Sequence, residues 1–181
     1  MRAGLTALLS AVLLSGCYES SKPLIADAKA ERPFADGVRY RAYEWNPADK
    51  LFVISEAGTI TRQGNYYLQR DDIGFYGGFQ PFLVQAIGGG LYIAQQKSGV
   101  VYVYDLLRME GDTVYEYGMP CVEQDRKFLY QGLIDSIGAD SSWSNTCNVS
   151  DFGKLARIFR AIAQERRQPQ AKYVIESQGK R

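Results

Sequence analysis

The sequence predicts an α+β domain, in which an antiparallel β meander of six to nine strands, either open or barrel-like, is followed by one C-terminal helix. Runs rich in Tyr, Val, Ile and Phe alternate with turn residues over about 80 positions. A single segment near the carboxyl end carries apolar residues at helical spacing. The chain has 181 residues, of which 46% are hydrophobic and 23% charged, a composition that can bury one core.

The amino terminus carries the pattern of an export signal. A charged start, Met1-Arg2, precedes an apolar run over residues 3–14, and two small residues follow the run. The run has about a dozen residues, whereas a helix needs about 20 to span a bilayer. We therefore expect a cleaved signal peptide over residues 1–16 and not a permanent transmembrane anchor.

The residues Leu14-Ser15-Gly16-Cys17 resemble the lipobox of bacterial lipoproteins. The resemblance implies cleavage before Cys17 and a thioether-linked lipid on its sulfur, so that a membrane would be the partner of the amino terminus. Two or three acyl chains anchor a protein stably, whereas a single chain binds only marginally. Tyr18 is not the aspartate that commonly retains such proteins in the inner membrane, so we expect the outer membrane, on its periplasmic side.

The domain organisation is expected to be simple. Residues 17–36 are mostly polar or small and include two prolines, which predicts a lipidated N-terminus followed by a flexible tether. Residues 37–181 are expected to form a single periplasmic domain.

The three cysteines fit this export prediction. With Cys17 assigned to the lipid, Cys121 and Cys147 remain, in a compartment where disulfides persist. The simplest interpretation is one structural disulfide closing a loop of about 26 residues, worth roughly 3 kcal/mol against the unfolded chain. A metal pair or a redox-active dithiol is disfavoured because no CxxC spacing is present.

Each predicted strand is bounded by turn residues. Glycine-containing segments at 56–58, 63–65, 88–90 and 98–99 supply residues that accept the positive φ of hairpin turns. In residues 100–106 both faces are apolar, which predicts a central strand with material packed on each side. The predicted strands are 38–45, 51–55, 59–62, 66–70, 79–87, 91–97, 100–108 and 113–117.

The C-terminal third predicts a loop, a helix and a short edge strand. Residues 139–149 are polar enough to be a loop. Ser150 or Asp151 can cap a helix that runs to about Arg167, before Pro169. The last apolar run, residues 173–176, is expected to return as an edge strand.

Composition excludes several function classes. The formal net charge is +1, so no field exists to attract nucleic acid, and no nucleic-acid partner is expected. Histidine is absent, which removes Ser-His-Asp catalysis and imidazole metal sites. We predict no metal site, no cofactor and no catalytic residue. Among the carboxylates Asp105 stands out because its strand is predicted to be buried, with Arg108 or a backbone amide as its expected partner.

Three residues are candidates for a binding surface. Trp143 lies in a polar segment between two cysteines, where it either plugs the core or offers a contact. The segment Ser98-Gly99-Val100-Val101-Tyr102 resembles the SGxxY motif of C-type lysozyme inhibitors, which implies blocking roles for Ser98 and Tyr102. The 13 tyrosines either pack across strands or form a platform for sugars or a protein.

These observations favour a non-enzymatic lipoprotein that is anchored in the outer membrane and binds another envelope component, protein or glycan. Two alternatives stay open. One is a periplasmic lysozyme inhibitor, and the other is an enzyme that acts on peptidoglycan through a pair of carboxylates.

Overall fold

A computed structural model describes residues 18–72, 81–118, 132–139, 145–165 and 167–176. Between Tyr18 and Glu176 these ranges contain β-strands, one α-helix and a short 3-10 turn at Asp27–Lys29. No helix in the described ranges is long and apolar enough to cross a bilayer. The elements are β1 (Tyr18–Ser20), β2 (Val38–Asn46), β3 (Leu51–Gln63), β4 (Tyr66–Asp71), β5 (Phe82–Gly88), β6 (Leu91–Ser98), β7 (Val101–Glu110), β8 (Thr113–Tyr117), β9 (Ser136–Ala139), β10 (Asn145–Asn148), α1 (Phe152–Gln164) and β11 (Ala171–Glu176).

Eight of the strands close into an antiparallel barrel. Their order around the ring is β6-β5-β4-β3-β2-β11-β8-β7, and β6 pairs with β7 to complete it. Strands β1, β10 and β9 extend the sheet outward from β7. The prediction of an antiparallel β fold with one C-terminal helix is therefore confirmed, including its barrel-like form.

Strand β7 separates two hydrophobic clusters, as its two apolar faces predicted. Leu107 points into the barrel and Leu106 points to the outside, because successive side chains of a strand lie on opposite faces. The inner cluster also contains Val38, Tyr40, Ile60, Tyr67, Val84 and Val114. The outer cluster lies between the barrel wall and α1 and includes Leu83, Ile93, Leu155, Ile158, Phe159 and Ile162.

The helix begins where the sequence predicted and ends earlier. Asp151 is its N-cap, and its carboxylate accepts a hydrogen bond of 2.8 Å from the Lys154 backbone amide. Asp135, just before β9, receives the Lys154 ammonium at 2.5 Å, and hydrogen bonds from Lys154 and Ser150 lower the pKa of its carboxyl to about 2. The helix ends at Gln164 and not near Arg167.

The turn predicted at residues 56–58 is wrong, because those residues lie inside the continuous strand β3. Gly58 is required there by packing. A Cβ at this position would lie 2.7 Å from the Tyr40 hydroxyl inside the barrel. A β-bulge shifts the β2–β3 register between Ala42 and Tyr43, which bends the hairpin without ending the strand.

Two predictions near the C-terminus also need correction. The final strand is not an edge strand, since β11 pairs with both β2 and β8 and closes the barrel. Part of the loop predicted over residues 139–149 is a strand, because β10 pairs with β9 on one side and with β1 on the other. In both places the strand is short and pairs with a strand that is distant in sequence, so tertiary pairing decides the conformation.

The segment after Cys17 differs from the flexible tether predicted for residues 17–36. Tyr18 is fully buried, and β1 lies between β7 and β10. Ile25 and Phe34 are buried as well, and the Phe34 backbone exchanges hydrogen bonds of 3.0 and 3.1 Å with the Tyr67 hydroxyl. Residues 18–36 therefore belong to the folded domain.

Candidate functional site

Several of the predicted site residues lie outside the described ranges. These are the lipidation candidate Cys17, the disulfide candidate Cys121 and the binding candidate Trp143. Cys147 lies in β10 and is completely buried. The pairing of Cys147 with Cys121 stays a prediction.

The predicted binding residues Ser98 and Tyr102 flank the β6–β7 turn. Ser98 ends β6, Gly99 has the positive φ of 60° that the turn needs, and Tyr102 follows in β7. Val100, at the tip of the turn, is 88% exposed. Tyr102 lines a cavity of about 220 Å³ on the outside of the barrel.

This cavity lies between the N-terminal segment and the barrel wall. Its apolar lining includes Ile25 and Leu83, its aromatic lining is Tyr66 and Tyr102, and its charged lining is Asp27 and Lys97. A second, more open cavity of about 550 Å³ continues along the same segment and shares Asp27. The segment that was predicted to be a tether thus forms one wall of both cavities.

Hydrogen bonds fix this wall against the barrel. The Ile25 backbone amide donates to Gln95 Oε1 at 2.7 Å, and Gln95 Nε2 donates to the Ile25 carbonyl at 3.3 Å. The Leu24 amide donates to the Tyr104 hydroxyl at 3.1 Å, and the Tyr104 hydroxyl also contacts Ser20 Oγ at 2.6 Å. Gln95 and Tyr104 are buried side chains of the barrel wall. Because they hold the N-terminal segment in place, the cavity is pre-formed.

A second polar site lies inside the barrel, around Glu116. Its carboxylate accepts hydrogen bonds from Gln170 Nε2 and, at 2.7 Å, from the Tyr173 hydroxyl. Glu116 is only 2% exposed, and burial raises the pKa of its carboxyl while these two hydrogen bonds act in the opposite direction. The negative charge of Glu116 is therefore partly compensated.

Asp105 lies in the same interior, and within the described residues its carboxyl accepts no compensating hydrogen bond. It is 4% exposed, and it pairs across the ladder with Ala94, a residue of the inner cluster. The pKa of the Asp105 carboxyl lies well above its ordinary value of 3.8, because burial, the larger cause, and repulsion from Glu116, the smaller one, both raise it. The expected partner Arg108 points to the outer face, where it donates to the Ala163 carbonyl at 3.1 Å.

The interior network continues on β2, β3 and β4. Glu56 Oε1 accepts hydrogen bonds from the Tyr40 hydroxyl at 2.9 Å and from Gln69 Nε2 at 2.7 Å. No group of His, Cys, Asp or Glu side chains in the described part of the chain is arranged to hold a metal ion. The hydrogen bonds of Glu116 and of Glu56 each tie polar side chains of different strands together, so they stabilise a particular barrel geometry.

Three further carboxylates, Asp72, Glu110 and Asp112, lie at the surface. Asp72 forms an ion pair of 2.5 Å with Arg39, and Glu110 lies 4.0 Å from Arg108 with 58% of its side chain exposed. Asp112 is exposed in the β7–β8 turn. Each of these three carboxylates is therefore solvated.

Sequence reasoning missed an exposed apolar surface on the β2–β3 hairpin. The run Leu51-Phe52-Val53-Ile54 begins β3, and Leu51, Val53 and Ile54 are 48%, 44% and 58% exposed. Beside it the Trp45 and Phe52 rings pack edge to face at 5.3 Å, and the Lys172 ammonium lies 4.7 Å from the Phe52 ring centre. The signal was present in the sequence, because four consecutive apolar residues in a hairpin leave no polar face for water.

Comparison of the chain with protein-family models, curated proteins and solved structures finds no match.

Proposed function

We propose that the protein is a lipid-anchored binding protein of the bacterial envelope, and that its β2–β3 hairpin docks an apolar surface of another envelope protein. The lipobox-like residues Leu14 to Cys17 support the anchor. The exposed run Leu51-Phe52-Val53-Ile54, here named the hairpin patch, carries the docking proposal.

The hairpin patch differs from the occasional exposed leucine of a soluble protein. Alternation places Leu51 and Val53 on one face of β3 and Phe52 and Ile54 on the other, so apolar surface is exposed on both faces of one strand. Scattered exposed apolar residues need no explanation, whereas a contiguous apolar patch marks an interaction site. The neighbouring aromatic residues Tyr43 and Trp45 belong to the types enriched in protein interfaces.

The position of the patch suits a protein that is anchored at Cys17. β1 pairs with β7, and in the eight-membered ring β3 lies four strands from β7 in either direction. The hairpin patch is therefore on the side of the barrel opposite the anchored amino terminus. A partner docked there would not compete with the lipid for space.

Crosslinking in intact cells, followed by affinity purification and mass spectrometry, tests the docking proposal. The test variant is Leu51→Ser combined with Ile54→Ser, and the matched control is Val100→Ser, which removes another exposed apolar residue outside the patch. We expect a stoichiometric protein partner that is lost in the double variant and retained in the control. A partner retained in the double variant, or the recovery of glycan fragments without a protein, would overturn the docking proposal.

Lipid labelling tests the anchor separately. Cys17→Ser is expected to abolish incorporation of labelled fatty acid and to release the protein from membranes. Persistence of the variant in the membrane fraction would contradict lipid anchoring at Cys17.

A further inference from the structure

Two charges of opposite sign line the 220 Å³ cavity beneath the N-terminal segment. Asp27 and Lys97 both border it. Within the described residues neither side chain forms an ion pair or a hydrogen bond, with each other or with any other group. Exposed ions often lack a partner, but two opposite charges at one pre-formed cavity offer complementary contacts to a ligand.

We propose that this cavity binds a small zwitterion, an amino acid or dipeptide with both ends free, whose ammonium group is held by Asp27 and whose carboxylate is held by Lys97. Charge-assisted hydrogen bonds of this kind are about twice as strong as neutral ones. The site lies outside the hairpin patch, and it does not depend on the lipid anchor or on the docking proposal.

The rest of the lining fits an apolar side chain. Ile25 and Leu83 supply aliphatic walls, and the Tyr66 and Tyr102 rings flank the opening. A cavity of 220 Å³ is smaller than the roughly 300 Å³ at which drug-sized pockets begin. The ligand is therefore of the size of leucine or of a short dipeptide.

The polar groups favour a zwitterion over a sugar. The Gln95 amide, which borders the same cavity, already exchanges two hydrogen bonds with the Ile25 backbone. A neutral saccharide would also leave the charges of Asp27 and Lys97 without a counter-charge. A zwitterion gives each of them a partner.

Titration calorimetry on the purified full-length protein tests the proposal, with leucine and alanyl-leucine as probes. We expect Asp27→Asn and Lys97→Gln each to weaken binding by about tenfold or more, because each removes one charged hydrogen bond. Lys29→Gln is the matched control. It removes a nearby positive charge that does not line the cavity, and it is expected to leave binding unchanged.

Blocked ligands assign each end of the probe to its partner. N-acetyl-leucine lacks the ammonium group, so it should bind more weakly than leucine and show no further loss with Asp27→Asn. Leucine amide lacks the carboxylate, so it should show no further loss with Lys97→Gln. The three substitutions lie at the surface, and circular dichroism verifies that each variant is folded.

Three results would overturn the proposal. The first is that neither leucine nor alanyl-leucine binds the protein. The second is that both bind equally well to the wild type and to the Asp27 and Lys97 variants. The third is that the blocked ligands bind as tightly as leucine. None of these results bears on lipid anchoring or on the hairpin patch, so the two proposals fail separately.

Discussion

At the scale of single residues, Asp105 is predicted to make the stability of the fold depend on pH. Its folded-state pKa lies well above the ordinary value of 3.8, so above pH 4 the unfolded chain releases a proton that the folded chain still holds. The free energy of unfolding therefore falls as pH rises from about 4 towards the folded pKa, by at most about 1.4 kcal/mol per pH unit for one proton.

Asp105→Asn is expected to remove this loss, because an amide cannot ionise inside the barrel. Denaturant unfolding at a series of pH values from 4 to neutral should show a variant that is increasingly more stable than the wild type as pH rises. Asp112→Asn, an exposed carboxyl in the β7–β8 turn, serves as the control. Parallel pH profiles for the wild type and Asp105→Asn would contradict the prediction.

Gly58 is predicted to tolerate no side chain. A Cβ would approach the Tyr40 hydroxyl to 2.7 Å and would also meet the Arg70 carbonyl, which is backbone and cannot move away cheaply. Gly58→Ala should therefore destabilise the protein by roughly 1–3 kcal/mol, the usual cost of overpacking. Gly153→Ala is the contrasting variant, because Gly153 is exposed in the first turn of α1, where alanine is the better helix former and its Cβ would meet only the Asp151 side chain, at 3.1 Å. If thermal unfolding shows equal melting temperatures for both variants, this account of Gly58 is wrong.

The interior face of the barrel was only partly readable from the sequence. Alternation along β7 indicates that Asp105 and Leu107 share a face, but only barrel closure decides that this face is the inner one. Arg108 was a plausible partner of Asp105 by sequence distance, yet three positions along a strand bring it to the opposite face. Sequence spacing alone therefore could not identify the environment of Asp105.

At the scale of elements, β11 is predicted to be essential although it has only six residues. It fills the gap between β2 and β8, so its removal would leave two open strand edges. Truncation after Pro169 should yield a chain that aggregates or lacks cooperative unfolding, whereas truncation after Glu176 should behave as the wild type. Size-exclusion chromatography and thermal unfolding distinguish the two. A monomeric, cooperatively unfolding product of the shorter truncation would show that the barrel does not need β11.

The elements that the sequence predicted well have strong local signals. The meander from β2 to β8 combines alternating apolar residues with glycine turns, and α1 combines a cap with a regular apolar stripe. β1 and β10 have neither, since each is a short polar strand whose conformation comes from its neighbours. The same limit explains the wrong tether prediction, because the burial of Tyr18 depends on contacts such as the Phe159 ring at 5.4 Å.

At the scale of the whole molecule, the burial of Tyr18 has a consequence for orientation. Consecutive Cα atoms lie about 3.8 Å apart. A lipid on Cys17 would therefore be attached one residue before the fully buried Tyr18. The anchored protein would have no spacer. The barrel would then rest with its β1 and β10 side against the bilayer and its hairpin patch directed away from it.

Hydrogen exchange measured by mass spectrometry tests this orientation. We compare the lipidated protein in vesicles with the soluble Cys17→Ser protein, and we expect slower exchange in peptides from β10 and α1 because the membrane surface covers that side. Peptides from the β2–β3 hairpin should exchange equally in both samples, since three strands separate β3 from β7 around the ring in either direction. If vesicles slow exchange only in the hairpin peptides, the orientation is the opposite one and the hairpin patch contacts the membrane. Protection of neither side would mean that the amino terminus detaches from the barrel and acts as a tether after all.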